Sequence, residues 1–121
     1  MNADRLLVLA IQMAVSQSPL AVELDIGRDD IPLAVEAATC FIALESIANV
    51  AKHAQATNVK VKVWVEDQRV ITEIEDDGVG GATDLRKLRE RARAAGGTIE
   101  IDSPPGVGTL IRAELPFAIP Q

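Results

Sequence analysis

Between residues 59 and 76 the chain alternates twice. VKVKVWV sets Val59, Val61, Val63 and Val65 against Lys60, Lys62 and Trp64, and RVITEIED (69–76) repeats the pattern after a short polar turn. A period of two sends successive side chains to opposite faces of a pleated strand. The two runs are therefore expected to form an antiparallel hairpin with one apolar face. Such a face has to be covered, and the rest of the chain supplies candidates.

Residues 4–16 read as a helix with an apolar face that ends near Ser18-Pro19, because a proline disfavours helical geometry in its predecessor. AVELDI (21–26) alternates as a strand, and a turn follows from Gly27 to Asp30. A long helical pattern then runs from Pro32 to Ala54, with Pro32 suited to its first position. A glycine-rich turn, DDGVGGA, leads into a helix from about Asp84 to Ala95, whose Leu85, Leu88 and Ala92 face the core and which Gly96-Gly97 stops. TIEIDS and TLIRAELP are two further strands around PPGVG. The order α-β-α-β-β-α-β-β implies an α+β fold, a two-layer sandwich with a mixed, mainly antiparallel sheet and helices on one face. Strand order is not readable from this pattern.

The 121 residues suit a single domain, here spanning 1–121 and expected to be cut from a longer chain. Phe41, Trp64 and Phe117 are the whole aromatic complement, so the core must be aliphatic. A net charge of −6 argues against electrostatic nucleic-acid binding, which needs a concentrated basic patch. A lone cysteine, Cys40, excludes a disulfide framework and reads as a small core residue in a cytoplasmic setting. No signal-peptide pattern is found, and no segment reads as long enough to cross a membrane.

The long helix carries a polar stripe: Glu45, Asn49, Lys52 and His53 fall within an arc of about 100°, with Cys40, Leu44, Ile47 and Ala51 on the opposite side. A generic amphipathic helix would make this a solvated face. Asparagine is a poor helix former, however, and its place mid-helix calls for a reason that alanine would not supply. Its amide oxygen is a hard neutral ligand of the kind Mg²⁺ accepts beside phosphate and water. Glu45, one turn away, is placed to orient or deprotonate an attacking group, and Lys52 and His53 to offset phosphate charge.

EDDGVGG (75–81) ends a strand with two aspartates and then Gly78 and Gly80, and PGVGT (105–109) is a second such turn. Asp-Gly pairs are ordinary turn chemistry. Glycines also admit a flat ring close to the backbone, and a buried carboxylate can accept a hydrogen bond from an exocyclic amine. Arg86, Lys87, Arg89, Arg91 and Arg93 point several ways round their helix and read as a solvated face with Glu90.

In order and spacing, E-x-x-x-N-x-x-K-H-A, D-x-G-x-G and G-x-G-T resemble the asparagine box and two glycine boxes of the GHKL ATPases, which share the Bergerat fold. The likeness is nearest to the ATP-binding catalytic domains of bacterial sensor histidine kinases that partner helix-turn-helix response regulators, where LRERARAAGGTIEIDSPPGVGT also fits. It extends from the first helix to AELP (113–116). The resemblance implies ATP and Mg²⁺ as cofactors and a histidine kinase in two-component signalling. It assigns Asn49 to the metal and triphosphate and Glu45 to the γ-phosphate. Lys52 and His53 would lie along the phosphates, Asp76 would take the adenine amino group, Gly78 and Gly80 would give the base room, and Thr109 would support the pocket.

The implied partner is a helical dimerisation domain bearing the acceptor histidine, with a response regulator reached indirectly. The resemblance implies neither nucleic-acid nor membrane contact by this domain. It also implies a monomer when isolated, and a cytoplasmic place even within a membrane-bound sensor. His53, the chain's only histidine, stands in the nucleotide box, so the chain lacks its own acceptor. A second departure is GGATDLRKL, with hardly any ATP lid and with Asp84 and Lys87 where phosphate-binding glycines are expected. Asp84 also suits a helix N-cap. Weak, lidless ATP binding is the expectation, and a nucleotide-poor docking module or an anti-sigma-factor-type serine kinase are the alternatives.

Overall fold

The computed structural model describes residues 9, 11–13, 20–27, 31–53, 55–80 and 85–117. Five strands and two long helices are defined: β1 (Ala21–Ile26), α1 (Leu33–His53), β2 (Asn58–Glu66), β3 (Arg69–Asp76), α2 (Arg86–Ala94), β4 (Thr98–Asp102) and β5 (Thr109–Pro116). Of the first expected helix, residues 11–13 are helical, while the Ser18-Pro19 stop, most of the Gly27–Asp30 turn and Asp84 lie outside the described residues.

The strands form one sheet in the order β1-β2-β3-β5-β4. β2 and β3 pair antiparallel, as the alternation predicts, and β3–β5 and β5–β4 are antiparallel too. β1 joins β2 in parallel, so the sheet is mixed. Helix α1 is the crossover between these two parallel strands, as such a connection requires.

Alternation sorts the sheet into two chemically different faces. Val59, Val61, Val63, Val70, Ile74, Ile111, Ala113 and Leu115 are buried on the inner face, against Ile42, Ala43, Ile47 and Val50 of α1 and Leu88 and Ala92 of α2. Each fully buried valine, leucine or isoleucine among them contributes about 1.5–3 kcal/mol. The outer face carries Asp25, Lys62, Glu73, Arg112 and Glu100 in one register row, so that charges alternate in sign from strand to strand. Only Arg112–Glu73 closes to 2.9 Å within that row. Trp64 also lies on this outer face rather than under the helices; it stands opposite the fully buried Ile71, with the Arg112 guanidinium 5.7 Å from its ring centroid.

Three expectations are corrected. Pro32 precedes α1 instead of opening it, and its carbonyl accepts from the Val35 and Glu36 amides at 3.0 and 2.9 Å. The packed side of α1 is not the one through Cys40, Leu44 and Ala51: Ala51 is exposed and Cys40 and Leu44 are half-buried, whereas Ile42, Ala43, Ser46, Ile47 and Val50 are buried. The core side is rotated by about a quarter turn from the expected one, so the polar stripe borders it instead of opposing it. The reason is that α2 and the sheet both pack on α1, and together they cover more of its circumference than one flat layer would. Finally, Leu33–Lys52 does have the length and apolarity of a membrane span. In this fold that apolarity serves the core, because this helix carries four of the buried aliphatic side chains just named.

Helix α2 stops as Gly96-Gly97 predicts. Gly96, at φ +77°, donates its N–H to the Arg93 carbonyl at 2.9 Å, and Gly97 donates to Ala92 at 2.8 Å, the paired bonds of a left-handed helix terminus. Arg91 holds the two helices together from outside, with its guanidinium 3.9 Å from the Phe41 ring centroid.

Thr72 is fully buried in the inner row between Val63 and Ala113, and its hydroxyl has no hydrogen-bond partner among the described residues. Valine at this position should stabilise the domain by about 1 kcal/mol, because the desolvation cost of the hydroxyl disappears while the shape is kept. Urea unfolding of Thr72→Val against wild type checks this; a loss of stability would show that the hydroxyl is satisfied.

Candidate functional site

The inner row of β3 reads Val70, Thr72, Ile74 and then Asp76, so the period that builds the core ends by turning a carboxylate to the helix side. Asp76 is 6% exposed, and Thr109, its register partner at the start of β5, is 8% exposed. The Asp76 Oδ1 accepts the Gly78 N–H at 2.8 Å. Burial pushes the Asp76 carboxyl above its ordinary range, against the N–H donors of Gly78 and Thr109, and the nearby Asp77 and Glu75 charges add to the rise. The Thr109 hydroxyl lies 2.6 Å from that of Ser103.

The two glycine turns form one packed unit. Gly106 donates its N–H to the Val79 carbonyl at 2.6 Å. Gly80, at φ +68°, presses against the Pro104 carbonyl, and Gly108, at φ +97°, against the carbonyl of Asp76. A Cβ at either position would collide with backbone, so these glycines serve loop-on-loop packing whatever space they leave for a ligand. Val79 and Val107, one on each turn, are exposed.

Asp77 is exposed and turned away from Asp76. Its Oδ1 accepts the amides of Thr57 at 2.9 Å and Asn58 at 3.0 Å, and its Oδ2 accepts the Thr57 hydroxyl and the Asn58 side-chain amide, each at 2.9 Å. Asp77 returns its own N–H to the Asn58 carbonyl at 3.3 Å. Donors on every side hold the Asp77 carboxyl well below the usual carboxylate range.

On α1, Glu45 and Asn49 are half-buried, Lys52 is exposed, and His53 is the last helical residue. One and two turns N-terminal to Glu45, the same flank of the helix bears the buried Ile42 and Ala38, so the stripe runs out of the core towards the end of α1. Thr57, bonded to Asp77, follows His53 by four residues, which brings the end of α1 to the same edge of the sheet as Asp76. The basic residues of α2 (Arg86, Lys87, Arg89, Arg91 and Arg93) are all exposed, as expected of a solvated face. Leu85 occupies the cap of α2 without a side-chain capping bond. Cys40 is half-buried, and burial raises its thiol pKa.

Sequence reasoning did not single out Asp77, Thr57, Asn58 or Ser103. The doubled acid in EDDG was the available signal for Asp77, and the serine ahead of PPGVG for Ser103.

No family model matches the chain. It is 37% identical over 107 residues to an uncharacterized sensor-like histidine kinase of Chloroflexus aurantiacus, covering 77% of this chain and 18% of that protein. It is 31% identical over 119 residues to the sensor protein VraS of Staphylococcus aureus, covering 92% of this chain and 33% of that one. Among solved structures, the ATP binding domain of PrrB from Mycobacterium tuberculosis superposes with a TM-score of 0.80 at 24% identity, covering 98% of this chain and 96% of that chain. The Erythrobacter litoralis EL346 blue-light activated histidine kinase gives a TM-score of 0.81 at 18% identity, covering 96% and 42%. The fold is that of a histidine kinase ATP-binding domain. The chain is a homologue of sensor histidine kinases, and it spans about a third or less of the length of the curated relatives it matches.

The raised Asp76 pKa carries a sign that can be tested. An acid whose folded pKa lies above its unfolded value favours folding while protonated, and that contribution is lost as pH rises through the folded pKa. Asp76→Asn can keep an acceptor for Gly78 without the buried charge. The variant should therefore melt higher than wild type at pH 7, with the gap closing near pH 3.8, the ordinary carboxyl value. Thermal melts at both pH values check this.

Proposed function

We propose that this domain binds Mg-ATP and donates the γ-phosphoryl group to a histidine on a separate helical dimerisation domain, from which a response regulator is then served. The observation that carries the reading is the buried Asp76 carboxylate at the helix-side end of β3, on the edge where α1 also ends. A carboxylate held there accepts the exocyclic amine of adenine. Val79 and Val107 offer the ring apolar surface beside it, and Thr109 braces the pocket floor.

Asn49, with Glu45 one turn before it, would serve the triphosphate end, and Lys52 and His53 continue along the phosphates. No cluster of three acids, histidines or cysteines that could hold a metal exists among the described residues. A single amide oxygen fits a cation that keeps water and phosphate as its main ligands, as Mg²⁺ does. When bound, Mg²⁺ neutralises charge on the triphosphate. The acceptor imidazole nitrogen attacks the γ-phosphorus, the bond to the bridging oxygen breaks, and ADP leaves with that electron pair. Glu45 is placed to receive the proton that the imidazole loses. Such a transfer depends mainly on positioning and charge neutralisation. The domain works in the cytoplasm and as a monomer, since its partner supplies the dimer.

One observation favours the docking-module reading: β3 ends at Asp76 and α2 begins at Arg86, which leaves only residues 77–85 for both the glycine turn and any lid. Charge-assisted contacts contribute about 1.5–3 kcal/mol each, so without a lid ATP should bind more weakly than the low micromolar range. Calorimetric titration with Mg-ATP should show saturable binding that Asp76→Ala abolishes and Asn49→Ala weakens by about ten- to a hundredfold. Labelled ATP with a histidine-bearing helical domain added in trans should give an acid-labile, alkali-stable phosphoprotein. An acid-stable product would point to serine instead, and no binding at millimolar ATP would leave the docking module.

A further inference from the structure

The two ends of the proposed nucleotide site come from segments far apart in sequence, and one side chain ties them together. We propose that Asp77 is a positioning residue for the nucleotide: its carboxylate fixes the segment after α1 to the glycine turn, and so sets the triphosphate end of the site against the adenine end. This rests on the nucleotide reading above.

Four observations lead there. First, among the described residues every hydrogen bond that Asp77 makes with its side chain goes to Thr57 or Asn58, which carry the chain from the end of α1 into β2. Second, Thr57 is a junction: it donates its N–H and hydroxyl to Asp77 while its carbonyl accepts the Ala21 N–H at 2.9 Å, where β1 begins to pair. Third, the loop so clamped contains Gln55 at φ 52°, a left-handed conformation that is strained for a non-glycine residue and persists only where its surroundings hold it. The clamp and Ala56, which packs on the core, are what hold it. Fourth, Asp76 is anchored independently, through Gly78 and Thr109, so loss of Asp77 releases the α1 end more than the adenine end.

Asp76 and Asp77 thus divide the work of the doubled acid. The first faces inward at the ligand. The second faces outward and acts only through the backbone it holds, and the residues it positions are Asn49, Lys52 and His53 on the last turns of α1.

The test compares Mg-ATP with adenosine, which reports the adenine end alone, by calorimetry on wild type, Asp77→Ala and Asp77→Asn, with thermal melts on each. Asp77→Ala should cost Mg-ATP about tenfold and adenosine much less, because small misplacements weaken a multi-point site steeply. The ratio of the two affinities should fall accordingly. Asn retains one acceptor oxygen for the Thr57 and Asn58 amides, so Asp77→Asn should lie between alanine and wild type. Thr57→Val removes the hydroxyl bond to Asp77 and the one the hydroxyl accepts from the Asn58 side-chain amide, but keeps the Thr57 N–H bond to Asp77; it should shift the ratio in the same direction by a smaller factor, which keeps the test open if the alanine variant fails to fold.

An unchanged ratio, or equal losses for both ligands, would overturn the positioning role and leave the nucleotide reading standing. Wild type binding neither ligand would overturn both.

Discussion

The register of β3 governs the rest of this structure. β3 is the central strand, with β2 on one side and β5 on the other, and the position of its side chains decides which residues meet the helices. A slip of one residue would turn Val70, Ile74 and Asp76 outward and bring Glu73 and Glu75 under α1. A slip of two relative to β5 keeps the faces but takes Glu73 from Arg112 and sets it against Glu114 or Leu110. The hydrophobic pattern therefore forbids the odd slips and the outer charge row disfavours the even ones. The ion pairs on that face are at least partly exposed and contribute little to stability. Their effect is on which pairing forms.

The placement of the site follows from that register. The alternating strand ends with a carboxylate on its inner face, and the next residue lies past the ladder, where Thr57 and Asn58 donate to its side chain. Two adjacent aspartates thereby acquire opposite electrostatic environments, one raised by burial and one lowered by a shell of N–H and O–H donors. Neither environment is a property of the residue itself; each follows from where the register leaves it.

Much of this was legible in the chain. The hairpin, α1, the glycine stop of α2 and the layer count follow from period and punctuation, which are local and read directly from residues such as Val59–Val65 and Gly96-Gly97. The order of strands was not legible, because the insertion of β5 between β3 and β4 and the parallel edge β1 depend on contacts between segments far apart. The core side of α1 was misjudged by about a quarter turn, since a helix that is apolar almost all round gives its own sequence no means of choosing. The candidate site residues Asp76, Gly80 and Thr109 stand out by motif. What the motif could not supply was the interlock of Gly80 with Pro104 and of Gly108 with Asp76, or the choice between two neighbouring carboxylates, because both turn on which backbone atoms approach one another in three dimensions.

A core that places a carboxylate under its own helices is at odds with its stability, and the way this chain limits the conflict says something about its design. Asp76 stands at the last inner position of the central strand, between Val59 of β2 and Thr109 of β5, with the glycine turns directly beyond it. Moved inward by two residues to the position of Ile74, the same carboxylate would be wholly enclosed by Val61 and Ile111 and would have no N–H donors, since backbone amides there are committed to the ladder. Turn amides exist only where the strand stops. A recognition carboxylate that must be both shielded from water and hydrogen-bonded thus has few places in a sheet of this kind, and the end of the central strand is one of them.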